Sequence, residues 1–188
     1  MKTRYKLWFF VLSVAGLNAC GILSLLTCNF RIEQVTNPVL AGMNVSNLQD
    51  LTRLDAATAL RVTSTLLSGS LPMSTTVHIG VHNPNTTLAK IAGLEWILFL
   101  EDVQVLSGAT QQEVSVAPNG GTTSVPLTIQ ADLATLFKND SREKMLQFAN
   151  GLLHVGDQSA KVSLKIRPII SLGGHALNMG YITVNKEL

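Results

Sequence analysis

A chain of 188 residues with 46% hydrophobic and 14% charged side chains is long enough to fill one core and does not have the composition of a disordered chain. Its formal charge of +2 depends on Lys2, Arg4 and Lys6: beyond residue 20 there remain 11 basic against 12 acidic residues, a net charge of −1. A near-neutral body lacks the clustered Lys and Arg that displace counterions from phosphate backbones, so nucleic acid is excluded as a partner.

The basic start runs into Leu7-Trp8-Phe9-Phe10-Val11-Leu12 and an apolar stretch ending at Leu17-Asn18-Ala19-Cys20, the layout of an export signal and not of a folded element. Leu17-Asn18-Ala19-Cys20 resembles a bacterial lipobox, from which Asn18 departs because it is polar where a small or β-branched residue is usual. The resemblance implies a lipoprotein signal peptide over residues 1–19, diacylglycerol on the Cys20 sulfur, and acylation of the new amine, with palmitate as the expected acid. Such an anchor holds far more firmly than a single acyl chain. Two alternatives stay open. Apolar residues continue through Gly21-Ile22-Leu23-Ser24-Leu25-Leu26, so the run is about long enough to span a bilayer uncleaved, and a cut near Thr27-Cys28 would make Cys28 the lipid site. The basic residues stay inside in each case, and the chain beyond them is delivered to the far side of the membrane. Both cysteines lie at or just after the leader, so the body holds no disulfide framework or CxxC metal site. Residues 20–30 read as a lipid-anchored tether and residues 31–188 as one domain.

Along that domain, Asn44-Val45-Ser46-Asn47-Leu48 fits a strand, while Leu60–Leu67 has Thr and Val at strand frequency and also fits a helix. Val77, Ile79 and Val81 alternate with Thr76, His78, Gly80 and His82, a strand with one buried face that Asn83-Pro84-Asn85 stops. Leu94–Leu100 is apolar on both faces after Glu95, as expected of a strand covered on two sides, with Trp96 at the centre of the core. Glu101-Asp102 is the expected hairpin tip to Val103-Gln104-Val105. Val114 and Val116 lead into the turn cluster Pro118-Asn119-Gly120-Gly121, and Val125, Leu127 and Ile129 alternate out of it, so a tight turn joins two strands. Asp140 with Glu143 marks a helix start, Met145, Phe148, Ala149 and Leu152 share one helical face, and a turn of helix is expected over Asp132–Phe137. Val162, Leu164 and Ile166 form a strand up to Pro168, and Tyr181–Val184 the last one. Regular strand spacing with one helical interruption gives an all-β fold of two sheets in Greek-key order.

Val81-His82-Asn83-Pro84-Asn85, Gly93–Leu100, Ser107-Gly108, Pro118-Asn119-Gly120 and Val125-Pro126-Leu127 together resemble the WHy domain of the LEA type 2 (late embryogenesis abundant) family over roughly residues 70 to 134. The resemblance implies an immunoglobulin- or fibronectin-III-like β-sandwich and a role in water stress, and with the Cys-bearing leader it is similar to a bacterial lipoprotein subgroup. Phe30–Leu71 departs from the plant domain.

Catalytic and metal-binding residues are not expected. His78 and His82 lie on one strand face, but four residues of strand separate their Cα atoms by about 13 Å, too far to share an ion. Gly173-Gly174-His175 lacks the spacing of a phosphate loop. Glu101 and Asp102 at a hairpin tip are expected to be solvated, which is not the setting of a general acid. No cofactor is expected, and Cys20 is the one site residue, for lipid attachment. The sequence reading is a non-enzymatic lipoprotein on the periplasmic side of the envelope, at the outer membrane, protecting other components by surface binding. The alternative is a structural accessory subunit with one defined partner in an envelope assembly.

Overall fold

Alternating Val, Ile, Leu and Thr favour extended backbone because branched side chains pack well on a pleated face. The computed structural model describes residues 25, 27–46, 55–100, 102–139, 144–145, 148–149, 162–172 and 175–184, and antiparallel strands dominate it. In one sheet β1 (Asn29–Leu40), β2 (Met43–Asn44), β3 (Pro72–Asn83) and β8 (Gly121–Asp132) lie in the order β2-β1-β3-β8. In the other, β5 (Gly93–Leu100), β6 (Val103–Thr110), β9 (Val162–Leu172) and β10 (His175–Asn178) lie in the order β10-β9-β5-β6, and β11 (Ile182–Val184) also pairs with β9. A short third ladder joins β4 (Ala89–Ile91) to β7 (Val114–Val116). Val77, Ile79, Val81, Val125, Leu127 and Ile129 of the first sheet and Leu94, Trp96, Leu98, Leu164 and Ile166 of the second share one buried cluster. The fold is an all-β sandwich with a short helical insertion, as the alternation predicts.

β1 escapes a simple reading of the sequence for a physical reason. Its register against β3 shifts between Ile32 and Gln34 and again between Thr36 and Val39, and Asn37 has a φ of 51°. Each irregularity inserts a residue and breaks the period of two. The chain nevertheless pairs with β3 along its length and turns into β2 through Ala41 and Gly42, at φ 50° and 75°, left-handed values that a two-residue hairpin turn requires. The strand expected over Asn44–Leu48 is limited to Met43–Asn44, with Val45 buried after it. Residues 47–48 lie outside the described ones.

Leu60–Leu67 is helical, within α1 (Ala56–Leu67), where the Asp55 side chain accepts from the Thr58 amide at 2.9 Å and caps the first turn. The expected turn of helix after β8 is α2 (Leu133–Leu136), with Asp132 as its cap. Residues 144–145 and 148–149 are also helical, with Met145, Phe148 and Ala149 buried and the Phe148 ring 5.2 Å from that of Phe137. The start expected at Asp140 lies outside the described residues.

The turn at Pro118–Gly121 joins two strands as expected, and these pair with different partners, β7 with β4 and β8 with β3. Two strand expectations are corrected. β9 does not stop at Pro168 but runs through it, because the partner on that side changes there from β11, opposite Leu164–Ile166, to β10, opposite Ile169–Leu172. The missing N–H falls at the gap between two partners. β5 is covered on one side only: Trp96, Leu98 and Leu100 are buried, while Glu95, Ile97 and Phe99 are half-exposed on the outer face. The hairpin tip is as expected, with Leu100 opposite Val103 and Asp102 at a φ of 67°.

Candidate functional site

Asn83 is the last residue of β3 and stands in phase with Val77, Ile79 and Val81, so its amide points inward and is fully buried. A buried amide is costly unless its hydrogen-bonding groups find partners. Nδ2 donates to the Thr87 carbonyl at 2.9 Å and to the Val116 carbonyl at 3.1 Å, while Oδ1 accepts from the Asn85 backbone N–H at 3.1 Å and the Asn85 Nδ2 at 2.8 Å. The backbone joins in, because Gly120 N–H donates to the Asn83 carbonyl and Asn119 N–H to that of Asn85. One asparagine thus ties the loop after β3, the end of β7 and the turn into β8. Pro84 ends the strand because it has no N–H to continue the ladder.

The start of the domain enters the same node. Thr27 Oγ1 donates to Asn85 Oδ1 at 2.8 Å, Cys28 Sγ lies 3.8 Å from Asn83 Oδ1, and Cys28 N–H donates to the Leu25 carbonyl at 3.2 Å. Leu25 and Cys28 belong to the buried cluster, and burial pushes the Cys28 thiol pKa up. The pairing of Asn29 with His82 then starts β1. Sequence reasoning reads Asn83-Pro84 as a strand stop, which it is, but not as the seat of Thr27 and Cys28. The available signal is a polar residue at an inward position of an apolar alternation.

The sheet edges differ in how open they are. β2, β10 and β11 are short, and β8 carries Pro126, which interrupts any ladder added to that edge. β6 is an edge of eight residues, Val103-Gln104-Val105-Leu106-Ser107-Gly108-Ala109-Thr110, with no charge and no proline. Its register against β5 shifts between Leu106 and Gln104, a bulge at Val105, and is regular from Leu106 to Thr110. Val103 is 64% exposed, and Ser107 and Ala109 are exposed. Beneath this edge the Trp96 indole lies on Gly108, where a Cβ would sit 2.4 Å from Cζ2. Glycine admits the ring, and the ring covers the glycine.

On the outer face of the second sheet, Glu95 accepts from Arg167 Nε at 2.8 Å, from Arg167 Nη2, and from the Tyr181 hydroxyl at 3.4 Å. The Arg167 guanidinium lies 4.7 Å from the Tyr181 ring centroid, and Lys165 Nζ lies 4.6 Å from that of Phe99. The carboxylate beside it raises the Arg167 pKa. These are solvated contacts of modest energy.

The remaining sequence candidates do not converge. His78 Nε2 shares a 2.9 Å hydrogen bond with Thr36 Oγ1, whereas His82 lies beside Gly120 in the turn. Among the described residues no group of three or more His, Cys, Asp or Glu is placed to hold a metal ion. No helix among them is long and apolar enough to cross a membrane. Cys20, the apolar leader, Glu101, His154, Gly173 and Gly174 lie outside the described residues.

No protein-family model matches the chain, and no curated protein matches it. Among solved structures, it is similar to a protein from Archaeoglobus fulgidus at 16% identity and a TM-score of 0.39, over 84% of this chain and 98% of that one. It is also similar to a candidate late embryogenesis abundant (LEA) protein solved in solution, at 14% identity and a TM-score of 0.39, over 96% of this chain and 87% of that one.

Proposed function

We propose that the chain is a non-enzymatic lipoprotein of the LEA type 2, WHy-like kind, anchored through Cys20 at the periplasmic side of the outer membrane. It protects other envelope components under water stress by surface contact. The observation that carries this reading is β6, a long edge without charge or proline whose outer side pairs with no strand among the described residues and fits an extended segment of a client. The leader and the lipobox-like Leu17–Cys20 support the anchor. The burial of Cys28 favours Cys20 over it as the lipid site, since an acylated sulfur at position 28 would have to leave the core.

The test combines mass and capture. Protein extracted from membranes of a bacterial host is expected to lack its first nineteen residues and to carry acyl mass that Cys20→Ser loses. Wild-type protein is expected to capture many clients weakly and to reduce aggregation of dried test enzymes. Ser107→Lys, which puts a charge on the β6 edge, is expected to weaken both. One stable partner in crosslinked pulldowns would favour the accessory-subunit reading instead. Substrate turnover that His78→Ala or His82→Ala abolishes would overturn the non-enzymatic reading.

A further inference from the structure

We infer that the Asn83–Asn85 end of the sandwich faces the lipid headgroups, held there by a very short leash. The inference rests on the proposed acylation of Cys20 and adds to it an orientation and a membrane-facing surface. The domain takes hold of the chain within the stretch read as tether, residues 20–30. Leu25 is 0% exposed, Cys28 N–H bonds back to its carbonyl, and Thr27 is bonded to Asn85. From Cys20 to Leu25 is five residues, which span at most about 17 Å when fully extended. β3 alone, from Asn83 to Pro72, is about 36 Å long. An anchor on this leash keeps the Asn83 end near the bilayer and lets the other end reach it only if the sandwich lies on its side.

The chemistry of the Asn83 end is compatible with that placement. The loop Pro84-Asn85-Thr86-Thr87-Leu88 and the turn Ala117-Pro118-Asn119-Gly120 contain no charged residue, and Leu88 is 43% exposed. The first charge after that loop is Lys90, of the sign an anionic surface attracts. The opposite end of the first sheet closes on Asp132, paired with Pro72, whose carboxylate is taken up by Ser70, Leu71 and Ala134, and α1, which leads into that end, exposes Leu60 and Leu67. The short leash therefore decides which end faces lipid, and an uncharged Asn83 end lets it do so without desolvating a charge. β6 then runs along the flank of a standing sandwich, where its edge is open to neighbours on the same membrane.

Two positions on β8 read the orientation directly. Thr122 and Gln130 are both exposed, share one face, and lie about 26 Å apart along the strand. Thr122→Cys and Gln130→Cys, each labelled with a maleimide fluorophore in the acylated full-length protein, are placed in phosphatidylethanolamine–phosphatidylglycerol vesicles with headgroup-attached quencher. Cys28 is buried and Cys20 blocked, so the label goes to the introduced thiol. Quenching is expected to be several-fold stronger at 122 than at 130. Ten Gly/Ser residues inserted between Gly21 and Ile22, which add roughly 17 Å of r.m.s. reach, are expected to remove most of that difference. Equal quenching at both positions in protein of confirmed acyl mass, or a difference that the insertion leaves untouched, would overturn the orientation alone. Absence of acyl mass would overturn the anchor, and the orientation with it.

Discussion

Where Thr27 and Cys28 join the sandwich, the Asn83 amide is buried and matched, whereas on the outer face of the second sheet Glu95, Arg167 and Tyr181 meet at the boundary with water. Both regions are networks around one side chain, yet they do different work. Losing Asn83 takes the amide from a buried carbonyl, that of Val116, and from part-buried groups of Asn85 and Thr87. Losing Glu95 leaves a guanidinium that water solvates at once. A buried polar residue at the end of an apolar alternation therefore specifies how loops close. An exposed ion pair decorates a face whose shape is set by the core beneath it.

That contrast can be broken most directly at Asn83. Asn83→Ala leaves the Thr87 and Val116 carbonyls and the Asn85 N–H short of partners, at about 1–3 kcal/mol for each group left buried and unmatched. A loss on the order of 3 kcal/mol is expected in urea unfolding, with faster proteolysis near residue 25. A shift of the midpoint too small to resolve would show that water replaces the amide. Gly108→Val comes next, because a Cβ there meets the Trp96 ring. Overpacking of this kind costs about 1–3 kcal/mol, and near-ultraviolet circular dichroism of the Trp96 environment should change with it.

Asp132 lies between the extremes, at the end of the first sheet away from Asn83. Its carboxylate accepts from the Ser70 hydroxyl at 2.5 Å, the Leu71 N–H at 2.9 Å and the Ala134 N–H at 3.0 Å. These bonds, that from Ser70 first, hold its pKa below the ordinary carboxylate value. Asp132→Ala should cost about 1 kcal/mol, as for a lost helix cap. Because the folded carboxyl is the more acidic, its contribution is full above the ordinary carboxylate pKa and vanishes as pH falls through the lowered value. Wild type and Asp132→Ala should therefore unfold at different urea concentrations at neutral pH and converge in acid. Glu95→Gln should have the smallest effect, leaving the midpoint in place at neutral pH and at high salt alike. A measurable loss there would mean that the outer-face cluster stiffens β5 against β9, contrary to its exposure.

Much of the fold was legible because burial writes itself into alternation. Val77-Ile79-Val81, Val125-Leu127-Ile129 and Val162-Leu164-Ile166 all face the core as their spacing requires. β1 was not legible, since two irregularities against β3 scramble its period. Leu60–Leu67 was ambiguous because Thr and Val weigh against a helix that Asp55 and the packing of Val62 and Leu66 nevertheless hold. The Asn83 node was half legible: the proline marks the stop, but the seat for Thr27 and Cys28 joins residues 55 to 58 positions apart.

By itself, the sequence determined the alternation of apolar faces, and hence an all-β sandwich, with turns where Pro, Gly and Asn permit no other course. It also set the basic start and the apolar run up to Cys20, since charge and hydropathy are local properties of the chain. Tertiary structure decided which strands are neighbours, that β7 joins β4 and β8 joins β3, and that β6 is an edge among the described strands. It also decided that the domain takes hold of the chain at Leu25. Those choices depend on contacts between residues far apart in the chain, whose energy appears only when distant side chains are brought out of water together.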